Sequence, residues 1–585
     1  MIEYIVISQL ITVIISLFYF KKRDIEKIKY YVAGFSSLSA LIAIHVFVSQ
    51  ISNPVFSYKH LYNFMIINRF YCSMGLLSDS LSITASCVSC IIAALVNFYS
   101  IGYISRNISL FLLYINAFSL FSTLFAASNN LLQMYICLTI LSVILYFLIV
   151  LDSKQKSVNC GFKITFLHKF GDVCFIISMI AVFIIFGSLN FDEINKFSVQ
   201  NDVQMDLIEI TAILMLISIF IRSSQIGFAS SVEYLSRLQI PASAIISSSV
   251  FFAFGMFVMI RLQSFFEFSD FVQNATIVFG AISAVYCAIK SAFSRNINKI
   301  LLHATSSQVG LMIIACGFAS YGSAIMLFVT HAFSKVLLFF SAGSVIRSLS
   351  GEKYIDKIGG LLELLPKTYV GFIMAALSTL CLPLLPYYYV QKILLNDILN
   401  SELSTYYIGL ISIIITFILT NVYIFRTIYF IFYGKNKAEE TVLAYLNENE
   451  NFIINTIYLS VFFAIFSGVV FYYTSYSNVI WKDVFAFSLL NTNVTLLYSI
   501  INLCGISFAA IICKSIKSKE LIPRFNFHDY NSNILRNFLD KIENIKFKKI
   551  INVDYNYYSE NVIKPGASFI CFVLIVFLFI AICNS

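Results

Sequence analysis

Long apolar runs separated by short polar connections repeat along the whole chain. Uncharged runs of about 18 residues or more are what a hydrocarbon layer about 30 Å thick demands of a helix. The pattern predicts about sixteen spans, near 4–20, 31–50, 79–99, 108–128, 132–151, 168–188, 206–222, 243–261, 271–290, 300–318, 322–348, 367–389, 405–433, 453–474, 484–513 and 566–583. The first run, Tyr4–Phe20, has no positive residue before it and no small-residue cleavage site after it, so it is expected to stay as a span.

Two stretches depart from the pattern. Residues Ser223–Ser247, "SSQIGFASSVEYLSRLQIPASAIIS", are more polar than their neighbours and carry Pro241. A broken helix suits them, because irregular backbone at membrane depth is tolerated only where protein or a hydrated cavity surrounds it. Between the last two spans, Ile534, Leu535, Phe538, Leu539, Ile542 and Ile545 recur at helical spacing with Lys and Asn on the other face. That periodicity predicts an amphipathic helix lying along a surface over 514–565. A helix of about 30–50 residues would reach roughly 45–75 Å, far enough to touch neighbouring subunits.

Composition agrees with a polytopic membrane protein: 59% hydrophobic, 12% charged and a mean hydropathy of +0.85 over 585 residues. Soluble domains carry about 25% charge. The net charge of +9 does not point to nucleic acid, since the basic residues cluster in loops flanking helices. "KKRDIEKIK" (Lys21–Lys29) and the stretch Lys514–Lys564 each follow an odd-numbered span, which puts both on the matrix or cytoplasmic face and both termini opposite. Phe (59) and Tyr (35) are abundant beside a single Trp, a balance that looks like translation of an A+T-rich organelle genome. The pair "CVSC" (Cys87–Cys90) lies inside a span and reads as two small thiols in a helix, not as a metal or redox pair.

The candidate chemistry lies in the intramembrane charges, which are costly at mid-membrane and mark ion pathways by default. No Asp, Glu, Lys or Arg falls between Lys299 and Lys335, yet "THAFSKVLLFF" carries His331 and Lys335, four apart and hence on one helix face. An imidazole and a desolvated ammonium can form two stations of a proton wire; alternatively, Lys335 snorkels to an interface. Arg222 at the polar break, Lys299 with His303, and Lys392 extend the row of basic groups. Asp172 in "HKFGD" is the acidic candidate, either as partner to this row or as a helix-start carboxylate near the positive end of a dipole.

"SSQVGLM" (306–312), "THAFSKVLLFFSAGSVI" (330–346) and "KIGGL" (357–361) follow one another as they do in the antiporter-like subunits of respiratory complex I, which the chain resembles. "LSDSLS" (77–82), "KFGD" (169–172) and "PASAI" (241–245) fall in the family's order upstream. Sixteen spans with an amphipathic stretch before the last resemble the chain 5 branch more than chains 2 and 4. The resemblance implies an all-α membrane fold of two inverted five-helix repeats, each with a broken helix, and a lateral helix bracing neighbouring antiporter-like chains. It divides the chain into N-terminal helices (1–107), two repeats (108–261 and 262–433), two further helices (434–513), the lateral helix (514–565) and an anchor (566–585).

It also implies that Arg222 stands where the family has a lysine, that His331 and Lys335 are the second-repeat pair, that Lys392 is the terminal lysine, and that Asp172 is the acidic partner with Lys169 beside it. The family's glutamate on span 5 falls near Thr139, and two of its histidines fall at Ser247 and Leu327. The function implied is proton translocation by a membrane-arm subunit of a mitochondrial inner-membrane NADH:ubiquinone oxidoreductase. NADH, FMN, iron–sulfur clusters and ubiquinone would reside in other subunits, since no glycine-rich phosphate loop or ligand-spaced cysteine cluster appears here. Chains 4 and 2 and phospholipids such as cardiolipin are the implied neighbours. A Na⁺/H⁺ antiporter subunit and a scaffold with a degraded channel are the rival readings.

Overall fold

A computed structural model of the chain describes residues 1–21, 27–54, 56–67, 70–151, 155–196, 202–380, 385–434, 448–476 and 504–507. The expected spans at 484–513 and 566–583 and the lateral helix at 514–565 lie outside the described residues, apart from 504–507.

The chain opens with α1 (Ile2–Lys21) and α2 (Ile28–Ser52), then a hairpin of β1 (Ser57–Ile67) and β2 (Phe70–Ser78). Four long helices follow: α3 (Ser80–Tyr103), α4 (Ile108–Ala126), α5 (Leu131–Val150) and α6 (Gln155–Phe186). A short α7 (Phe191–Asn195) leads into α8 (Asp202–Arg222), after which the backbone breaks into α9 (Ser231–Leu235), α10 (Ile240–Ser248), α11 (Phe254–Arg261) and α12 (Gln263–Glu267). The second half holds α13 (Asp270–Phe293), α14 (Ile297–Gly317), α15 (Tyr321–Ser348), α16 (Pro366–Thr379), α17 (Pro386–Leu399), α18 (Tyr406–Ile428, continued by a π-helical turn Tyr429–Tyr433) and α19 (Asn451–Tyr476). Among the described residues, ten helices are long and apolar enough to cross a membrane: α1 to α6, α13 to α15 and α18. The chain is an all-α multi-pass membrane protein, to which the described residues add one β-hairpin.

Most expected spans coincide with helices. Three features differ, each for a local reason. The expected span 243–261 is interrupted after Ser248. Ser248 and Ser249 donate their hydroxyls back to the carbonyls of Ala244 (2.5 Å) and Ile246 (2.9 Å), competing with the helical ladder, and Ser249 turns extended. The expected span 367–389 is two helices, α16 and α17, so Lys392 lies within a helix instead of following one. The hairpin was not foreseen at all. It runs antiparallel with Tyr58 opposite Leu77, and β2 is clamped to the start of α5: Gln133 Nε2 donates to Gly75 O (2.8 Å) and Asn130 Nδ2 to Ser73 O (2.6 Å).

α15 runs through the middle of the molecule and is buried over nearly all of its length. Tyr99 of α3 stacks on Phe340 with ring centroids 4.2 Å apart and donates its hydroxyl to the Phe340 carbonyl at 2.9 Å. A Cβ on Gly343 would sit 2.5 Å from the Tyr99 hydroxyl and 2.7 Å from Ile240, so glycine is what lets α3, α10 and α15 converge there.

A second fixed point joins distant segments. Asp79 caps α3 through Ser82 and accepts two hydrogen bonds from Arg261, from Nη1 at 2.6 Å and Nη2 at 3.1 Å. Nη2 also donates to the Ala126 carbonyl at 2.9 Å, so the ends of α3, α4 and α11 meet in one clasp. Burial pushes the Asp79 carboxyl up, but the Arg261 guanidinium and the Ser82 hydrogen bonds outweigh burial and hold it below the usual carboxylate range. The stabilisation is therefore present above the ordinary value of about 3.9 and is lost as pH falls through the depressed one. Asp79→Asn keeps a capping oxygen but removes the charge, and should lower the thermal midpoint of the detergent-solubilised protein. Asp79→Ala should destabilise the protein further, by about 1 kcal/mol for the lost cap. A midpoint unchanged in the Asn variant would show that the charge pair contributes nothing.

Candidate functional site

Five of the charged residues singled out in the sequence, Lys169, Asp172, Arg222, His331 and Lys335, fall into two clusters. The first lies between α5, α6 and α8. α6 starts at Gln155, so Asp172 is in mid-helix and the helix-start explanation for its charge does not hold. Arg222, the last residue of α8 and the largest fully buried side chain, aims its guanidinium at it. Nη2 donates to Asp172 Oδ1, and Nη1 donates to Ser142 Oγ of α5 at 2.9 Å. The guanidinium also lies 5.9 Å from the Phe254 ring centroid, within cation–π range. Asp172 accepts in addition from Lys169 Nζ at 2.8 Å, and the Lys169 side chain is 53% exposed. One carboxylate thus holds an interior and a peripheral cation. His168, beside it, is buried with its ring 5.7 Å from that of Phe251, and its Nδ1 has no hydrogen-bond partner among the described residues.

The second cluster centres on α15. His331 and Lys335 are both buried and share one face, as their spacing predicts. Snorkelling is excluded by position, since Lys335 is 1% exposed within a helix whose described neighbours enclose it. Its ammonium lies 6.0 Å from the centroid of the Tyr423 ring on α18, and among the described residues no carboxylate or hydrogen-bond acceptor pairs with it. His331 Nδ1 lies 3.3 Å from the Tyr387 hydroxyl of α17, while Nε2 has no partner among the described residues.

α14 connects the two clusters. Ser306, Ser307 and Gln308 are buried, and Ser307 donates to the Ala284 carbonyl of α13 at 2.8 Å. Gln225, fully buried in the break after α8, donates Nε2 to the Ser306 carbonyl at 3.1 Å and so ties that break to α14. The side-chain oxygens of Gln225, Ser243, Gln308 and Ser341 lack hydrogen-bond partners among the described residues. Buried polar atoms of this kind are satisfied by ordered water in native proteins.

Lys299 and Lys392 stand outside both clusters. Lys299, in the first turn of α14, faces Glu233 at 3.9 Å, and both side chains are partly exposed. Lys392 is partly exposed on α17 and has no ion pair among the described residues. Ser142, Gln225, Tyr387 and Tyr423 were missed in the sequence; only Gln225, inside the polar run after Arg222, carried any signal. Among the described residues, no three His, Cys, Asp or Glu side chains gather into a metal-binding group. Cys87 and Cys90 are buried free thiols, and Gln9 Nε2 lies 3.0 Å from the Cys90 sulfur.

Long apolar helices interrupted beside buried ionisable groups define an ion-translocating membrane protein. Residues 128–420 match the family described as "NADH:quinone oxidoreductase/Mrp antiporter, TM", and residues 64–111 match "NADH-Ubiquinone oxidoreductase (complex I), chain 5 N-terminus". The chain belongs to this antiporter-like family. It is 27% identical over 560 residues to NADH-quinone oxidoreductase subunit L of Rickettsia bellii, covering 91% of this chain and 86% of that one. It is 30% identical over 345 residues to NADH-ubiquinone oxidoreductase chain 5 of Allomyces macrogynus, covering 58% and 54%. In fold it is similar to a chain of the Mrp complex from Dietzia sp., with a TM-score of 0.76 and 15% identity over 99% of this chain and 63% of that one. The archaeal membrane-bound sulfane sulfur reductase gives a TM-score of 0.71 at 17% identity, over 86% of this chain and 100% of that one.

Removing one partner of a buried ion pair strands the other charge and costs about 3–5 kcal/mol. Arg222→Met should therefore destabilise the protein by about that amount, and adding Asp172→Asn should recover much of the loss. Thermal melts of the two single variants and the double variant measure this coupling. Strict additivity would show that the two residues act independently.

Proposed function

We propose that the chain is a proton-translocating subunit of the membrane arm of an NADH:quinone oxidoreductase, with His331 and Lys335 as its proton-exchanging stations. The observation that carries this reading is the buried Lys335 ammonium, which has no counter-charge among the described residues and lies one turn from an imidazole. A charge held there without compensation is costly, so the presence or absence of a neighbouring charge decides whether the lysine keeps its proton. Like charges a few ångströms apart in a low dielectric interact by several kcal/mol, enough for a protonation event elsewhere in an assembly to be felt at Lys335.

The chain 5 match and the relatives named as NADH-quinone oxidoreductase subunits support a redox-linked assembly. NADH, FMN, iron–sulfur clusters and ubiquinone would then be held by other subunits. The abundance of Phe and Tyr beside a single Trp supports a mitochondrial inner-membrane setting, with chains 4 and 2 and phospholipids such as cardiolipin as neighbours of 514–565. Residues 108–261 and 262–433 are proposed as the two inverted repeats. In support, each contains an interrupted helix, after Arg222 in the first and between α16 and α17 in the second.

The likeness to the Mrp complex over 99% of the chain favours a second reading, a Na⁺/H⁺ antiporter subunit using the same residues. The Arg222–Asp172 pair bears on both readings. Arginine does not readily deprotonate in a protein, so the first cluster is a fixed ion pair and the second carries the exchange. Asp172 and Arg222 thus serve as a charged support, Lys169 as its peripheral partner, and Lys299 and Lys392 as flanking stations.

The decisive variant is Lys335→Met in the intact assembly. NADH-driven acidification of membrane vesicles should fall by roughly ten-fold or more if the redox-linked reading holds. If acidification follows an imposed Na⁺ gradient but not NADH, the antiporter reading replaces it. Pumping at the parental rate in the Met variant would leave only a scaffold.

A further inference from the structure

The contact between α15 and α17 holds two polar rungs on antiparallel helices. At one, His331 Nδ1 meets the Tyr387 hydroxyl at 3.3 Å. At the other, Ser320, which caps α15, donates its hydroxyl to Asp397 Oδ2 near the end of α17, and Ser320 and Ser323 hydroxyls lie 2.6 Å apart. His331 and Ser320 are eleven residues apart on one side, and Tyr387 and Asp397 are ten apart on the other. At 1.5 Å per residue both separations are about 15 Å, half the thickness of the hydrocarbon layer.

The Asp397 rung lies at the end of the bundle away from the basic loops. The opposite end of α15 carries Arg347, next to the connection with Lys353 and Lys357 and the start of α16 with Lys367. Basic loops face inward, so Asp397 faces outward. Along α15 itself the way is closed, because the fully buried Leu327 one turn before His331 can neither give nor take a proton. The polar atoms are on the other helix. Gln391, one turn beyond Tyr387, is buried on the same face, whereas its neighbour Lys392 turns to a partly exposed side.

We propose that Tyr387 and Asp397 form an outward proton exit from His331 along the α15–α17 contact. The Tyr387 hydroxyl accepts the proton from His331 Nδ1 as it releases its own onward. Water steadied by the Gln391 amide carries it across the intervening distance, and Asp397 accepts it and yields it to the outer solution. One proton enters at His331 and one leaves at Asp397, with no change in oxidation state. This inference rests on the reading of His331 and Lys335 given above.

The test is proton release by membrane vesicles containing the intact assembly. Tyr387→Phe keeps the ring and removes only the hydroxyl; it should leave the thermal midpoint unchanged, slow translocation by roughly ten-fold and raise its solvent deuterium isotope effect. Asp397→Asn keeps the shape and the Ser320 contact and should slow release similarly, which decides the matter if the Phe variant folds poorly. Translocation at the parental rate in both variants overturns the exit, even if Lys335→Met is inactive. Slowing in these two variants with Lys335→Met fully active leaves the exit standing and removes the proposed role of Lys335.

Discussion

The structure depends on the cost of a charge in a medium that cannot solvate it. Arg222 and Lys335 are both buried in the described core, and each meets that cost differently. Arg222 is matched by a carboxylate, a serine hydroxyl and an aromatic face. Lys335 is given an aromatic ring and no acceptor among the described residues. The same cost is met at one by an ion pair and at the other by an aromatic face.

Backbone irregularity follows from the same constraint. The breaks after Arg222 and after Ser248 expose amide groups that a continuous helix would bond internally, and both are enclosed by neighbouring helices. Serine hydroxyls take up part of that exposed capacity, and the Gln225 amide donates both to the Ser223 carbonyl within the break and to the Ser306 carbonyl of α14. The two halves of the chain are therefore coupled through a polar contact at depth as well as by apolar packing.

Local spacing made much of this legible in the sequence. The i,i+4 pair His331–Lys335 and the long charge-free interval before it already placed an ionisable face inside the bundle. The family motifs supplied the order of the elements. What escaped was pairing over distance. Asp172 was read as the acidic partner of the basic row, but nothing near it singles out Arg222, fifty residues on, as the member it meets, or Ser142 as a further contact of that guanidinium. The hairpin escaped because it lies in the connection between the expected spans 31–50 and 79–99, where hydropathy for spanning runs carries no signal for strand pairing. Tyr387 escaped because three successive tyrosines after Pro386 look like an interfacial aromatic belt until α17 turns one of them inward.

The Asp79–Arg261 clasp has a consequence for how the chain is made. Its two members are 182 residues apart, so the acid leaves the ribosome long before the guanidinium that neutralises it. Until α11 has been threaded into the bilayer, the top of α3 must keep its carboxylate in contact with headgroup water. Insertion of α11 is thus the moment at which the early part of the protein locks, and ribosome-bound chains stopped before residue 261 should still be open to reagents at Asp79.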